Sequence, residues 1–178
     1  MKVLGIDPGT RHLGWGVVEK VGSRLTHVAH GTISPKESLP LAERLVIIEE
    51  GLIAVLEKHA PREAAAEAIF FAKDAQAAAK LGHARGVALL ACAREGLTIA
   101  EYPPARVKRT VAGIGKAEKA QVAQMVKAIL KLPSVPQADA ANALAVAITH
   151  LQNTLTGRIQ TGIKAVISGF NQRRPKAV

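Results

Sequence analysis

Apolar residues at the amino end of the chain recur with the two-residue period of β-strands. Residues 3–6 form a short apolar run that the turn Asp-Pro-Gly-Thr at 7–10 brings to an end. Residues 12–21 and 25–33 alternate larger with smaller side chains, and Gly22-Ser23 between them predicts a hairpin. The pattern therefore predicts an antiparallel meander of three strands, with the Asp7 carboxylate at the end of the first.

Beyond residue 40 the apolar period becomes helical. Spacings of 4, 3, 4 and 3 residues from Leu41 to Val55 predict a helix over 40–59 that ends before Pro61. The remaining expected elements are a strand over 64–70, an alanine-rich helix over 74–94, a strand over 97–102, and helices to residue 150 with breaks at 113–115 and 133–136. This order predicts an α/β fold in which helices flank a mixed sheet.

Composition fits one globular domain. The 178 residues are 48% hydrophobic and 21% charged, and the longest small or apolar run, residues 86–93, is too short for a membrane span. Cys92, the single cysteine, excludes an internal disulfide, a zinc ribbon and an iron–sulfur cluster. We expect a soluble cytoplasmic chain with a globular domain over residues 1–152 and a basic, weakly ordered tail over 153–178.

The net charge of +10 is strongly segregated along the sequence. Residues 1–70 carry 8 Lys and Arg against 9 Asp and Glu, whereas residues 71–178 carry 16 against 5. Concentrated positive charge favours a polyanionic partner, because each cation near a phosphate releases condensed counterions. A solvated basic face that aids solubility is the alternative interpretation.

Three acidic residues stand alone in apolar surroundings. Asp7 follows a strand, Glu67 is the only charge between residues 64 and 71, and Asp139 is the only one between 131 and 158. Singly they could be a turn residue, the outward side of an edge strand and a helix-start charge. Together, without nearby His or Cys, they form an oxygen donor set suited to Mg²⁺ or Mn²⁺ rather than zinc.

Five motifs, in order, resemble the RuvC family of Holliday-junction resolvases over about residues 1–150. They are GIDPGT at 5–10, Glu67 followed by FFAK at 70–73, KLGHARG at 80–86, VK at 107–108 with GIGKAEK at 113–119, and PQADAANALA at 136–145. The resemblance implies a ribonuclease-H-like five-stranded sheet, a homodimer, paired Mg²⁺-dependent nicking of four-way DNA junctions in recombination and repair, and a branch-migration complex as partner. It also maps the metal-binding acids, which hold two Mg²⁺ ions, onto Asp7, Glu67, Asp139 and position 142.

Position 142 departs from the family pattern. The family has Asp there and this chain has Asn142, on the same helical face as Asp139 three residues earlier. Its amide oxygen can still contact a metal, but one negative charge is missing, so we expect an inactive or impaired enzyme. Such a near-isosteric change is one that an experimenter makes to stop cleavage while keeping DNA binding, and we favour that origin over a natural Asn142.

Several further residues are candidate DNA contacts. The resemblance implies that Phe70 stacks on a base and that Lys108 and Lys119 lie near the scissile phosphate. Basic residues that could contact the backbone, or lie on a solvated surface instead, are Arg85, Arg106, Arg109 and Lys116. On the helix over 74–94, Gly82 and Gly86 with nearby alanines form a small-residue face that fits a dimer interface or an internal contact.

Parts of the sequence also resemble two kinds of phosphate-binding site. The turn at 7–10 also resembles the phosphate loop of actin-like and sugar-kinase ATPases, but those enzymes need two such domains. The segment around Gly113 is a poor P-loop, since Thr110 replaces the first Gly and Ala117 the Mg²⁺-binding Ser or Thr. The remaining alternative is a non-catalytic module that binds DNA junctions.

Overall fold

The computed structural model describes residues 1–68 and 75–153, and the elements follow the predicted order. The strands are β1 (Lys2–Asp7), β2 (Leu13–Val21), β3 (Arg24–Ile33), β4 (Glu63–Glu67) and β5 (Thr98–Tyr102). The helices are α1 (Leu41–His59), α2 (Ala75–Arg94), α3 (Pro104–Ala112), α4 (Lys119–Leu130) and α5 (Ala138–Asn153). Asp74, the first residue of the expected helix over 74–94, and residues 154–178 of the expected tail lie outside the described residues.

The strands form one mixed sheet in the order β3-β2-β1-β4-β5. The pairs β1–β2 and β2–β3 are antiparallel, which confirms the predicted meander, while β1–β4 and β4–β5 are parallel. In the β1–β4 pair, Ile6 lies opposite Ala66. Continuing that register by one residue places Asp7 beside Glu67 at the carboxyl ends of two neighbouring strands.

Strand β4 is shorter and more central than the sequence indicated. It ends at Glu67, so the expected strand over 64–70 was too long by at least one residue, Ala68. Its three alanines, 64–66, are fully buried because β1 and β5 flank the strand and helices cover both faces. The interpretation of Glu67 as the outward side of an edge strand is therefore wrong.

Helices cover both faces of the sheet. Alternate β1 residues divide between two apolar cores: Val3 packs with the α3, α4 and α5 residues, and Leu4 and Ile6 pack with those of α1 and α2. This division follows from the two-residue period of a strand. Since Asp7 has the same parity as Val3, its side chain lies on the α5 face.

Two glycines let α5 lie directly on the sheet. A Cβ atom at Gly5 would overlap the carbonyl of Ala143, and one at Gly14 would overlap the carbonyl of Asp139. Any side chain at these positions would push the helix outward. The glycines thus bring the first turns of α5 against the ends of β1 and β2.

A buried polar chain fastens the other end of α5 to the sheet. The Tyr102 hydroxyl lies 2.9 Å from Nδ1 of His150, and Nε2 of His150 lies 2.6 Å from a Glu63 carboxylate oxygen. Tyr102 is on β5, Glu63 on β4 and His150 on α5. Because buried polar groups are costly without partners, this chain fixes the helix relative to both strands.

Helix α2 buries a different face from the one that its glycines mark. Ala84, Ala88 and Cys92 are fully buried against α1 and the sheet, whereas a Cβ atom at Gly82 or Gly86 would meet nothing within 4 Å. An internal contact through these glycines is therefore wrong. Among the described residues, no helix is long and apolar enough to span a membrane.

Candidate active site

Four side chains from three elements converge at the carboxyl edge of β1 and β4. Asp7 ends β1, Glu67 ends β4, and Asp139 and Asn142 lie in the first two turns of α5. The Asn142 amide donates a hydrogen bond of 3.1 Å from Nδ2 to Oδ2 of Asp7. The structure thus assembles residues that are up to 135 positions apart in the chain.

Asp7 and Asp139 share a cavity of about 520 Å³. Lys119, the first residue of α4, also lines it. The other lining residues come from the turn after β1 and from α2: Pro8, Gly9, Thr10, Arg11, His12, Lys80 and Leu81. A cavity lined by both acidic and basic side chains suits a phosphate group that is brought in together with a cation.

Sequence reasoning did not identify Arg11, His12 and Lys80 as residues of this cavity. Arg11 and His12 follow Asp7 within five positions, so their closeness to Asp7 in the sequence was the feature that indicated them as possible cavity residues. Lys80 begins the motif KLGHARG, but nothing in the sequence connects that motif with Asp7, because Lys80 lies on α2 and only the packing of α2 brings it here.

Negative charge in this site is poorly compensated. Burial, together with the charge of Asp139, raises the pKa of Asp7 to about 6 although the Asn142 hydrogen bond and Lys119 oppose the shift. Burial and the charge of Asp7 raise the pKa of Glu67 to about 7, against the attraction of Lys108 and Lys119. Both carboxyls hold protons more tightly than usual, as expected of acids that need a cation partner.

The donor chemistry fits Mg²⁺, with one carboxylate fewer than the resemblance requires. All four groups present oxygen, the ligand type that Mg²⁺ prefers. Within residues 1–68 and 75–153, no three His, Cys, Asp or Glu side chains are arranged closely enough to hold a metal ion by themselves. Mg²⁺ bound here would need water and substrate phosphate to complete its coordination.

The candidate DNA contacts fall into different places. Lys119 lines the cavity, and Lys108 on α3 is close enough to attract Glu67. Arg109 and Lys116 are exposed on α3 and on the turn that follows it. Phe70 lies outside the described residues.

Two predicted cations already have protein partners. Arg85 forms a partly buried ion pair with Glu101 on β5. Arg106 donates a 2.7 Å hydrogen bond to Asn153 and lies 5.4 Å from the ring centre of Tyr102. Asn153 is fourteen residues after Asp139, about 21 Å along α5, so Arg106 lies far from the acidic cavity.

Replacing Glu67 with Gln is expected to stabilise the metal-free protein at high pH. The pKa of Glu67 is higher in the folded protein, about 7, than its unfolded value near 4.5. Glu67 therefore contributes fully to folding stability below pH 4.5, and this contribution is lost as the pH rises through about 7. Glu67→Gln should therefore raise Tm by roughly 2–6 °C at pH 8 in EDTA and by little at pH 4.5. Thermal melts compare it with Glu57→Gln, an exposed substitution on α1; a lower Tm for Glu67→Gln at pH 8 would contradict the electrostatic account.

A family model and individual proteins match this chain over the same region. The model "Crossover junction endodeoxyribonuclease RuvC" matches residues 3–150. The protein of that name from Sorangium cellulosum is 61% identical over 151 residues, 85% of this chain and 84% of its own length. The one from Bradyrhizobium diazoefficiens is 53% identical over 150 residues, 84% of this chain and 86% of its length.

Solved structures agree with the sequence matches. T. thermophilus RuvC in complex with Holliday junction substrate has a TM-score of 0.83 and 36% identity, covering 88% of this chain and 96% of its own. The yeast mitochondrial Holliday junction resolvase Ydc2, at 12% identity with a TM-score of 0.59 over 86% of this chain and 84% of its own, shares the fold alone. The expected ribonuclease-H-like fold is confirmed.

Proposed function

This chain belongs to the RuvC family of crossover junction endodeoxyribonucleases, and we propose that its substrate is the four-way (Holliday) DNA junction of recombination and repair. The family is one of metal-dependent nucleases. The observation that carries the proposal is the cavity lined by Asp7, Asp139 and Lys119, with Glu67 beside Asp7 at the end of β4. Such a site accepts a phosphodiester and a divalent cation together. Each of the two nicks on opposing strands requires one site of this kind.

The polar residues of the site have distinct tasks in strand cleavage. Two Mg²⁺ ions per site, or Mn²⁺ in their place, would supply a hydroxide from water and stabilise the leaving oxygen. Asp7, Glu67 and Asp139 would hold the ions, and Asp7 is close enough for its charge to interact with both other acids. Lys119 and Lys108 balance the charge of the scissile phosphate. Near neutral pH, Asp7 and Glu67 must also give up the protons that their raised pKa values retain.

Asn142 makes the present chain a weak or inactive nuclease. Three carboxylates supply at most three negative charges against the four positive charges of two Mg²⁺ ions. In addition, the Asn142 amide donates to Asp7 Oδ2, so it occupies an oxygen that a metal ion would use. The alternative is a module that binds junctions without cutting them, and restoring the carboxylate at position 142 separates the two.

DNA contacts follow the positions of the free basic side chains. We assign backbone phosphate contacts to Lys108, Lys119, Arg109 and Lys116, while Arg85 and Arg106 would first have to leave Glu101 and Asn153.

Phe70 keeps its proposed role as the base-stacking aromatic. In a cleavage-competent background, Phe70→Ala should reduce the fluorescence increase of a base analogue at the crossover; an unchanged increase would argue against stacking.

The open face of α2 is the surface on which we propose that two copies pair. Small or apolar residues recur there at spacings of 3, 4, 4 and 3: Ala79, Gly82, Gly86, Leu90 and Ala93. Leu90 is 48% exposed, and the glycines leave space for a second backbone to approach. A symmetric dimer places two cavities on one four-way junction, which explains paired nicks without a second type of subunit.

Leu90→Asp is expected to convert the dimer to a monomer. Two carboxylates facing each other across the α2 contact would be desolvated without partners, a cost of several kcal/mol. Sedimentation analysis should show half the mass, while Val21→Asp at the tip of the β2–β3 hairpin should leave the mass unchanged. If Leu90→Asp sediments like the parent, α2 does not form the interface.

The chain should bind a four-way junction at least about 100-fold more tightly than a linear duplex of the same length, because a dimer can engage two arms at once. Affinity should fall steeply with salt as counterions are released. Mobility-shift titrations at several salt concentrations measure both effects. Equal affinity for the two DNAs would exclude a junction resolvase.

By resemblance alone, we also propose a branch-migration complex as partner and a cytoplasmic location.

A further inference from the structure

Ile114 lies at the tip of the turn between α3 and α4, and its side chain is 57% exposed. Gly113 ends α3 with a φ of 80°, and the Ala117 amide donates a 3.2 Å hydrogen bond to the Ile114 carbonyl. Ala117 is buried in the core and holds the base of the turn. A fixed backbone thus presents a branched apolar side chain to solvent between two glycines, Gly113 and Gly115.

The surroundings of Ile114 combine apolar surface with positive charge. A shallow groove of about 400 Å³ runs from Ile114 to Met125, which is 41% exposed. The segment over residues 104–130 carries six Lys and Arg and one acid, Glu118. The Glu118 side chain accepts from the α4 backbone in a capping box, so its charge is already engaged.

The tip is close to the acidic cavity. Lys119 lines that cavity, and it follows Ile114 by five residues, a separation of at most about 18 Å. DNA advances about 3.4 Å per base pair, so the tip reaches at most about five base pairs from the phosphate beside Lys119. The turn is therefore within reach of a DNA duplex held at the cavity.

We propose that the α3–α4 turn is a DNA-contacting edge, in which Ile114 packs against sugar edges in the minor groove of a junction arm. Lys116 and Arg109 contact phosphates on either side. The inference rests on the proposed function for the identity of the substrate. Charge selects this occupant, since one exposed apolar side chain with Arg109 and Lys116 beside it fits the minor-groove wedge of architectural proteins.

Directed cleavage of DNA sugars tests the proposal. Cys92 is fully buried and burial raises its thiol pKa to about 12, so an introduced cysteine is the reactive one. Ile114→Cys and Val21→Cys are each labelled with an iron–EDTA reagent and bound to a junction without Mg²⁺. Val21 is the matched control because it is 63% exposed and lies at the tip of the β2–β3 hairpin, at the end of the strands opposite Asp7.

The label at position 114 should cut sugars within about six base pairs of the crossover, with cuts offset across the minor groove, and the label at 21 should not. Cutting from 114 no stronger than from 21, while both proteins retain the junction in mobility shifts, would overturn the inference alone. If neither protein prefers the junction, the proposed function fails and this inference with it. If the cysteine at position 114 cannot be labelled in the protein without DNA, a second copy or another protein covers the turn, and the inference is overturned.

Substitutions separate the apolar contact from the ionic one. Ile114→Ala should weaken junction binding about threefold to tenfold without changing its salt dependence, because no charge is lost. Lys116→Ala should lower the slope of log affinity against log salt by about one. Unchanged affinity of Ile114→Ala at all salt concentrations would overturn the role of the side chain.

Discussion

Asn142→Asp is expected to nick a four-way junction in Mg²⁺ about three orders of magnitude faster than the parent chain. The change replaces an amide that donates to Asp7 with a carboxylate that repels it, so the site then requires cations to balance four acids. Losing a directly coordinated carboxylate costs several kcal/mol of transition-state stabilisation, at 1.36 kcal/mol per tenfold in rate. Single-turnover cleavage of a labelled junction measures the gain, and the products should be symmetric nicks on opposing strands.

The matched control is Asn153→Asp, the same chemical change at the far end of α5. It adds an equal charge to the same helix about 16 Å from position 142. If the gain in cleavage came only from added charge on α5, Asn153→Asp would also cleave faster than the parent. If position 142 is a metal ligand, Asn153→Asp should show no gain. A second readout is stability: Mg²⁺ should raise the Tm of Asn142→Asp more than that of the parent. If the parent already cleaves as fast as Asn142→Asp, position 142 is not a metal ligand; if neither cleaves, the binding-module alternative is correct.

Gly14→Ala, made in the Asn142→Asp background, is expected to lower the nicking rate about 100-fold or more. A Cβ atom at Gly14 would overlap the Asp139 carbonyl and come within 3.0 Å of the Ala140 nitrogen. Since both neighbours are backbone, the first turn of α5 must move away and carry Asp139 and position 142 with it. A displacement of about 1 Å in a catalytic group costs on the order of 100-fold.

The control for Gly14→Ala is Ala140→Gly, which destabilises the same turn of α5 without adding atoms at the contact. Loss of a helical alanine costs about 1 kcal/mol, so α5 is destabilised but not pushed outward. Cleavage rates and Tm are measured for both variants. If Ala140→Gly loses as much activity at a matched Tm change, the effect is general destabilisation and the close approach of α5 does not position the site.

The sequence by itself determined the elements and most of their chemistry. Strand alternation and helical spacing are local properties, so the meander, the helices and the breaks near Gly113 and Pro133 were predictable within a few residues. Isolated acids in apolar segments marked Asp7, Glu67 and Asp139 for the same reason. The family resemblance, carried by five ordered motifs, supplied the fold and the departure at position 142.

Tertiary structure alone decided what these residues do together. The sheet order put β4 between β1 and β5, which made Glu67 an interior neighbour of Asp7 rather than an edge residue. Packing paired Arg85 with Glu101 and Arg106 with Asn153, and it opened the glycine face of α2. It also brought Lys80 to the cavity and left Ile114 exposed at the turn that precedes Lys119. The physical reason is that burial, register and charge pairing depend on contacts between residues far apart in the chain, and no local pattern encodes which surfaces meet.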